Sequence, residues 1–235
     1  MVTLSLFRFE KPHHKLWAFV MMGLARPLLN LMPNLIFWKL LGSGTGEGFT
    51  PKPNWGVYAI LCVWQEPTNI EKTLKESRVF RRYQEMAAES VTIHLEPYAT
   101  RGAWSGQTPF RANNNKRDAG PVAVLTRATL RWNAMLQFWK QSPAISSKIG
   151  MNEDVLFKIG LGEVPLRQQL TFSIWPDIKQ MSEFAHQSDP HRSAIQKVRQ
   201  GDWFQEELYA RFNITAIDGH WSAFGTIRKK EDTNE

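Results

Sequence analysis

A chain of 235 residues with 43% hydrophobic and 12% aromatic side chains has ample material for a core, which excludes a disordered or fibrous protein. Its formal charge of +7 favours acidic partners, yet no basic run interleaved with aromatics and no zinc-finger or recognition-helix pattern is present, so nucleic acid is set aside. The single cysteine, Cys62, excludes an intramolecular disulfide and a cysteine metal cluster.

In chain order, Val2 to Phe9 alternates in polarity and predicts a strand, and His13 to Met32 has apolar residues at helical spacing, with Pro27 expected to end or kink the helix. Leu16 to Leu41 is the most apolar stretch, but Arg26, Lys39, two prolines and two asparagines break it well short of a bilayer span. The reading is a cytoplasmic protein with room for peripheral contact on the inner membrane face. Phe37 to Leu41 predicts a second strand and Ala59 to Trp64 a third. Between them, Gly42-Ser-Gly-Thr-Gly-Glu-Gly48 lacks the lysine of a phosphate-cradling loop and runs into Pro51, so it reads as an insertion within a hairpin. Helical pieces follow over Glu66 to Ala88, then a strand from Val91 to Leu95, and Gly102-Ala-Trp104-Ser105 closes the set.

The order then repeats. Val122 to Leu130 predicts a strand, Trp132 to Ile149 a helix, Val155 to Ile159 and Gln169 to Trp175 two strands. Helices over Asp177 to Gln187 and His191 to Gln200 precede a strand at Asn213 to Ile217, and Gly219-His-Trp221-Ser222 echoes the earlier closing turn. From Trp64 to Ser77 and from Trp175 to Ser188 the spacing is identical without a gap, and such a repeat sets the architecture. Each copy is β-α-β-β-α-β, the ferredoxin-like order. The predicted fold is α+β: tandem ferredoxin-like repeats forming an intrachain dimeric-type α+β barrel. Residues 1–110 are the first repeat, 111–121 a linker, 122–226 the second repeat and 227–235 a charged tail.

Period-2 alternation assigns faces. Ala59, Leu61, Val63 and Leu170, Phe172, Ile174 are apolar in both copies and are expected under the helices, leaving Ile60, Cys62, Trp64 and Thr171, Ser173, Trp175 to line the barrel. By the same count Trp38, Leu40, Phe157 and Ile159 go under the helices, and Lys39 and Lys158 point to the lining. A lysine there requires an anion or water, because an unpaired buried charge is costly. A propionate of a bound ligand is one such anion; a lysine reaching solvent at a strand end is the other reading. Ten Trp and fourteen Phe suit an aromatic cavity or simply an aromatic-rich core.

Among six histidines, His191 follows Asp189-Pro190 at a helix start, where the first copy has Phe80, so the second copy has gained a metal-capable side chain. No helical pair of histidines brackets an acid, and no Gly-x-Ser-x-Gly elbow is present, which removes a zinc protease and the commonest hydrolase layout. One histidine, aromatics and nearby cations suit haem better than a bare metal ion.

Four segments carry a resemblance. Phe37-Trp-Lys-Leu-Leu-Gly-Ser-Gly-Thr-Gly-Glu-Gly-Phe-Thr-Pro51, Val155-Leu-Phe-Lys-Ile-Gly-Leu-Gly-Glu-Val-Pro165, Thr171-Phe-Ser-Ile-Trp-Pro-Asp177 and Trp203-Phe-Gln-Glu-Glu-Leu-Tyr-Ala-Arg-Phe212 closely resemble the spheroidene monooxygenase family, the acyclic carotenoid 2-ketolases. The similarity runs from Leu4 to about Trp221. It implies oxygenation at C2 of a linear carotenoid to a ketone, with dioxygen as co-substrate, haem b as cofactor and a reduced ferredoxin as electron donor. On that basis His191 is the expected iron ligand, Lys158 or its mate Lys39 the propionate partner, and Trp175 a shield against water. Two other readings stay open: a non-catalytic haem-binding barrel, and a cofactor-free monooxygenase acting on another apolar substrate.

Overall fold

The structure, a computed structural model, describes residues 1–45, 50–113, 115, 117, 120–140, 155–187 and 203–222. The elements are β1 (Val2–Arg8), α1 (Pro12–Asn30), β2 (Leu35–Gly44), β3 (Pro53–Trp64), α2 (Ile70–Glu76), α3 (Arg78–Met86) and β4 (Glu89–Gly102). The second set is β5 (Val122–Leu130), a helix α4 over residues 135–140, β6 (Phe157–Gly162), β7 (Gln168–Trp175), α5 (Ile178–Gln187) and β8 (Phe204–His220). The helix expected over His191 to Gln200 lies outside the described residues.

Both sets have the predicted β-α-β-β-α-β order and the ferredoxin-like strand order, β4-β1-β3-β2 in the first and β8-β5-β7-β6 in the second. The fold class is α+β, as the duplication predicted. β1 pairs antiparallel with β3 and β4, and β5 with β7 and β8, so each first strand is central. β2 and β3 are neighbours in the sheet, and just beyond β2 the Thr45 amide donates to the Lys52 carbonyl at 2.8 Å.

α1 starts at Pro12, which suits a first-turn position, and runs through Pro27 to Asn30 rather than ending there. The proline ring and Gly23, one turn earlier, are both exposed, so the carbonyl that loses its amide partner belongs to a solvent-exposed residue, where that loss costs least. α1, α2 and α3 pack on the first sheet through Ala18, Ala25, Leu29, Ile70, Leu74, Val79, Phe80 and Tyr83.

The face assignment is reversed relative to the sequence reading in three of four strands. Ile60, Cys62 and Trp64 belong to the helix-side cluster, together with Phe7 and Tyr58, whereas Ala59, Leu61 and Val63 are on the opposite face with Val2, Leu4 and Leu6. In the second sheet Trp175 packs against Met181 and Ile178 of α5, so Thr171 and Ser173 share the helix side and Leu170, Phe172 and Ile174 do not. Phe157 and Ile159 pair with Ile174 and Phe172 and lie away from α5, which brings Lys158 to the helix side. Only Trp38 and Leu40 are where they were expected, beneath the helices, with Lys39 on the other face beside the Phe37 ring. Lys39 and Lys158 are therefore not structural mates: a one-residue offset between aligned strands exchanges the faces. The first sheet is buried on both faces and the second is half-open on its helix side, so the more apolar set need not be the one the helices cover; here it is the helix-free one.

The chain forms two compact units that do not coincide with its sequence halves. One comprises Met1–Ser43, Asn54–Glu96 and the chain from Ile214; the other Gly44–Pro53 and Pro97–Asn213. The two Gly-x-Trp-Ser turns explain the exchange, because each is latched to the strands of the other copy. Trp104 is fully buried under the guanidinium of Arg127, which pairs with Glu206, and Glu206 accepts from the Ser105 and Gly106 amides at 2.9 and 2.7 Å. Trp221 is likewise buried under Arg8, which pairs with Glu89 at 3.3 Å, and Glu89 accepts from the Ser222 amide at 2.9 Å. The reading that each turn closes its own copy is thereby corrected.

β4 and β8 are longer than predicted, β8 starting at Phe204 instead of Asn213. Glu206 and Glu207 weaken the strand signal locally, but Glu206 meets Arg127 and Glu207 accepts from the Tyr209 hydroxyl at 3.1 Å. Tertiary partners override low strand propensity.

Candidate functional site

The helix side of the two sheets differs in how tightly it is covered. In the first unit Thr3, Ser5, Phe7, Ile60, Cys62 and Trp64 are 0–2% exposed. Their polar atoms are satisfied internally: Ser5 and Thr92 hydroxyls are 2.8 Å apart, and the Trp64 indole donates to Thr3 at 3.0 Å. Burial pushes the Cys62 thiol up, so it stays protonated and unreactive. The centre of this face is closely packed, and at its edge Met1, Ile70, His94, Thr215 and Ala216 line a cavity of about 660 Å³.

The equivalent face in the second unit is half-open. Its rows follow from the strand register. Lys158, Ser173, Val124 and Arg211 form one row across β6, β7, β5 and β8; Gly160, Thr171, Thr126 and Tyr209 form the next. Lys158, Ser173, Val124, Thr171, Thr126 and Tyr209 are half-buried, and Arg211 is exposed. Gly160 contributes no side chain, which lowers the platform next to Lys158. At one end Trp175 is 5% exposed and packs with Val122 and Met181, its indole donating to the Ser173 hydroxyl at 3.0 Å. At the other, Glu207 is tied to Tyr209 and lies 4.0 Å from Arg101, whose guanidinium stacks 5.0 Å above the Tyr209 ring.

Lys158 and Arg211 stand at opposite margins of one row, three strand spacings or about 14 Å apart. Burial raises the nearby Tyr98 phenol, while the Arg211 charge pulls it the other way. The central two rows carry hydroxyls, an apolar Val124 and a glycine, with no carboxylate. The surface thus offers hydroxyls and an apolar patch between two cations, the chemistry that an anionic, partly apolar group would meet. Among the described residues no three His, Cys, Asp or Glu side chains converge as a metal site.

Of the residues singled out in the sequence, Lys158 and Trp175 come together on this platform, on the same face of adjacent strands. Lys39 is on the first unit's sheet, on the face away from its helices. His191 lies outside the described residues, four positions after the end of α5. Arg211, Tyr209, Thr126 and Val124 were missed. Their signal is the alternation Glu207, Tyr209, Arg211 against Leu208, Ala210, Phe212, visible once the segment is read as strand.

No family model matches the chain. Curated relatives do. The spheroidene monooxygenase of Cereibacter sphaeroides is 48% identical over 221 residues, covering 94% of this chain and 68% of that protein. The spheroidene monooxygenase of Rhodobacter capsulatus is 43% identical over 230 residues, 97% of this chain and 95% of that protein. Among solved structures, an aldoxime dehydratase in complex with butyraldoxime aligns with a TM-score of 0.61 over 97% of this chain and 85% of its own, at 10% identity, a likeness of fold alone.

Proposed function

Because the chain belongs to the spheroidene monooxygenase family and is a monooxygenase, we propose that it oxygenates a linear carotenoid at C2 to a ketone on the helix-side platform of its second unit. The single observation that supports this site is the half-buried row of Lys158, Ser173 and Val124, ending in the exposed Arg211, on the helix-side face of the second unit. Family membership removes the non-catalytic reading.

The cofactor in this proposal is haem b. Bound there, haem would supply dioxygen activation, with electrons from a reduced ferredoxin. The roles of the chain itself follow from position. Lys158 would pair with a propionate, and that charge-assisted contact would fix the ring's orientation. Trp175, Val122 and Val124 would keep water from the reacting carbon, and the Thr126 and Thr171 hydroxyls would offer short-range hydrogen bonds beneath it. His191, following α5, would be the iron ligand. A ketone requires two successive hydroxylations of one carbon followed by loss of water, so the substrate end must stay held between turnovers.

The test is an absorption spectrum of the purified protein with added haem, followed by carotenoid turnover with a reduced ferredoxin. A haem band that is lost or displaced in His191→Ala, with product formed only by the wild type, supports the proposal. A colourless protein that still turns over carotenoid replaces it with the cofactor-free reading; an unchanged band in His191→Ala removes that residue as ligand.

A companion prediction separates the two lysines. Lys158→Glu should weaken haem binding by about tenfold to a hundredfold, since a charge-assisted pair becomes a repulsion. Lys39→Met should leave haem affinity unchanged. Titration followed at the haem band measures both; equal effects at the two positions would contradict the face assignment.

A further inference from the structure

α1 has two faces of contrasting fate. Ala18, Ala25 and Leu29 are fully buried against the first sheet. The outward face should then be charged, as it is on an ordinary surface helix. Instead it bears Leu16 at 64% exposure, Val20 at 46%, Leu24 at 62% and Leu28 at 46%, one per turn, with Leu31 at 81% just beyond the helix. Gly23 and Pro27 fill the gaps in this stripe and add no polar group. Phe19, half-exposed beside it, stacks edge-on at 5.1 Å with Trp55, which is 51% exposed. A continuous apolar surface of this kind on a folded protein marks a contact site.

We propose that the outward face of α1, with Trp55, docks the protein on an anionic phospholipid bilayer from one side. Charge selects this occupant. Pro12–Asn30 contains no Asp or Glu, and Lys15 and Arg26 flank the stripe. A long aliphatic stem lets each cation reach headgroup phosphates while the leucines enter the acyl boundary. Trp55 is of the residue type favoured at that depth. Among the described residues no helix is long and apolar enough to cross a membrane, so α1 would lie in the interface plane. A second copy of the chain fits less well: a two-fold contact would bring the same cations together with no carboxylate in the helix to meet them. The inference deepens the carotenoid reading, since a substrate of that class resides in the bilayer.

The experiment is sedimentation of the full chain with vesicles of phosphatidylcholine alone or mixed with phosphatidylglycerol. The wild type should partition to the mixed vesicles and less to the neutral ones, with salt weakening the preference. Leu16→Glu and Leu24→Glu should each lower the partition about tenfold or more, since a carboxylate replaces a leucine that enters the acyl boundary. Lys15→Glu with Arg26→Glu should abolish the preference for anionic vesicles, each reversal worth roughly fivefold or more. All are surface changes, so thermal midpoints should match the wild type. Wild-type protein that stays in the supernatant with both vesicle types overturns the proposal. So does a wild-type dimer that Leu24→Glu converts to monomer while neither binds vesicles, which would make the face a contact between copies. Turnover of detergent-dispersed carotenoid keeps the two readings apart. Surface variants that lose vesicle binding should retain it; vesicle binding without any such turnover upholds the docking surface and fails the substrate assignment.

Discussion

Gly102→Ala is expected to destabilise the protein by about 3 kcal/mol or more, lowering the thermal midpoint by roughly 6–12 °C. Gly102 has φ of +93°, a conformation that side chains rarely adopt, and an added Cβ would fall well inside contact distance of the Glu207 carbonyl oxygen. The obstacle is main chain, which cannot swing aside as a side chain would. Gly219, the equivalent residue of the second turn, has φ of +102° and would drive a Cβ into the Ser90 carbonyl oxygen, so Gly219→Ala should behave alike. Gly42→Ala is the control. It has ordinary φ with nothing within 4 Å, and its change should stay within about 0.5 kcal/mol. Circular dichroism melts of the three variants decide the matter: a Gly102→Ala midpoint equal to that of Gly42→Ala would mean that the turn does not hold β4 against β8.

Glu206→Ala should cost about 3–5 kcal/mol, because it strands a guanidinium whose side chain is 2% exposed. It also removes the acceptor of the Ser105 and Gly106 amides. Arg127→Met should cost less, about 1.5 kcal/mol or below, since Glu206 keeps both amides and the buried Arg127 Nε, which has no hydrogen-bond partner, disappears. The double variant should resemble Arg127→Met more than the sum of the two, which a double-mutant cycle in urea would expose. An additive result would count against the pairing. The equivalent pair, Arg8 and Glu89, should show a smaller version because the Arg8 side chain is 34% exposed.

Acid provides a second readout for Glu206. Burial by itself would raise its carboxyl, but the Gly106 and Ser105 amides and Arg127 outweigh that and hold it below the ordinary 4.5. A depressed folded value means that its contribution is fully present above the unfolded value and is lost as pH falls through the folded one. The wild type should thus lose more stability on acidification below about pH 4.5 than Glu206→Ala does. Urea midpoints across that range would show the two curves converging at low pH.

The chain alone was enough to reveal the duplication, the β-α-β-β-α-β order and the strand cores, because the matched spacing from Trp64 to Ser77 and from Trp175 to Ser188, together with period-2 alternation, is written locally. It also carried the family resemblance and put Lys158 and Trp175 on one face of adjacent strands. Alternation tells which residues share a face, but when both faces are buried it cannot say which one the helices cover. That choice required the long-range packing of Ala18, Leu74 and Phe80 onto Ile60, and of Met181 onto Trp175. The tertiary structure likewise assigned each Gly-x-Trp-Ser turn to the opposite copy and extended β8 back to Phe204. The partners that stabilise those arrangements, Arg8 with Glu89 and Arg127 with Glu206, lie about eighty residues apart in the chain, beyond the reach of any local pattern.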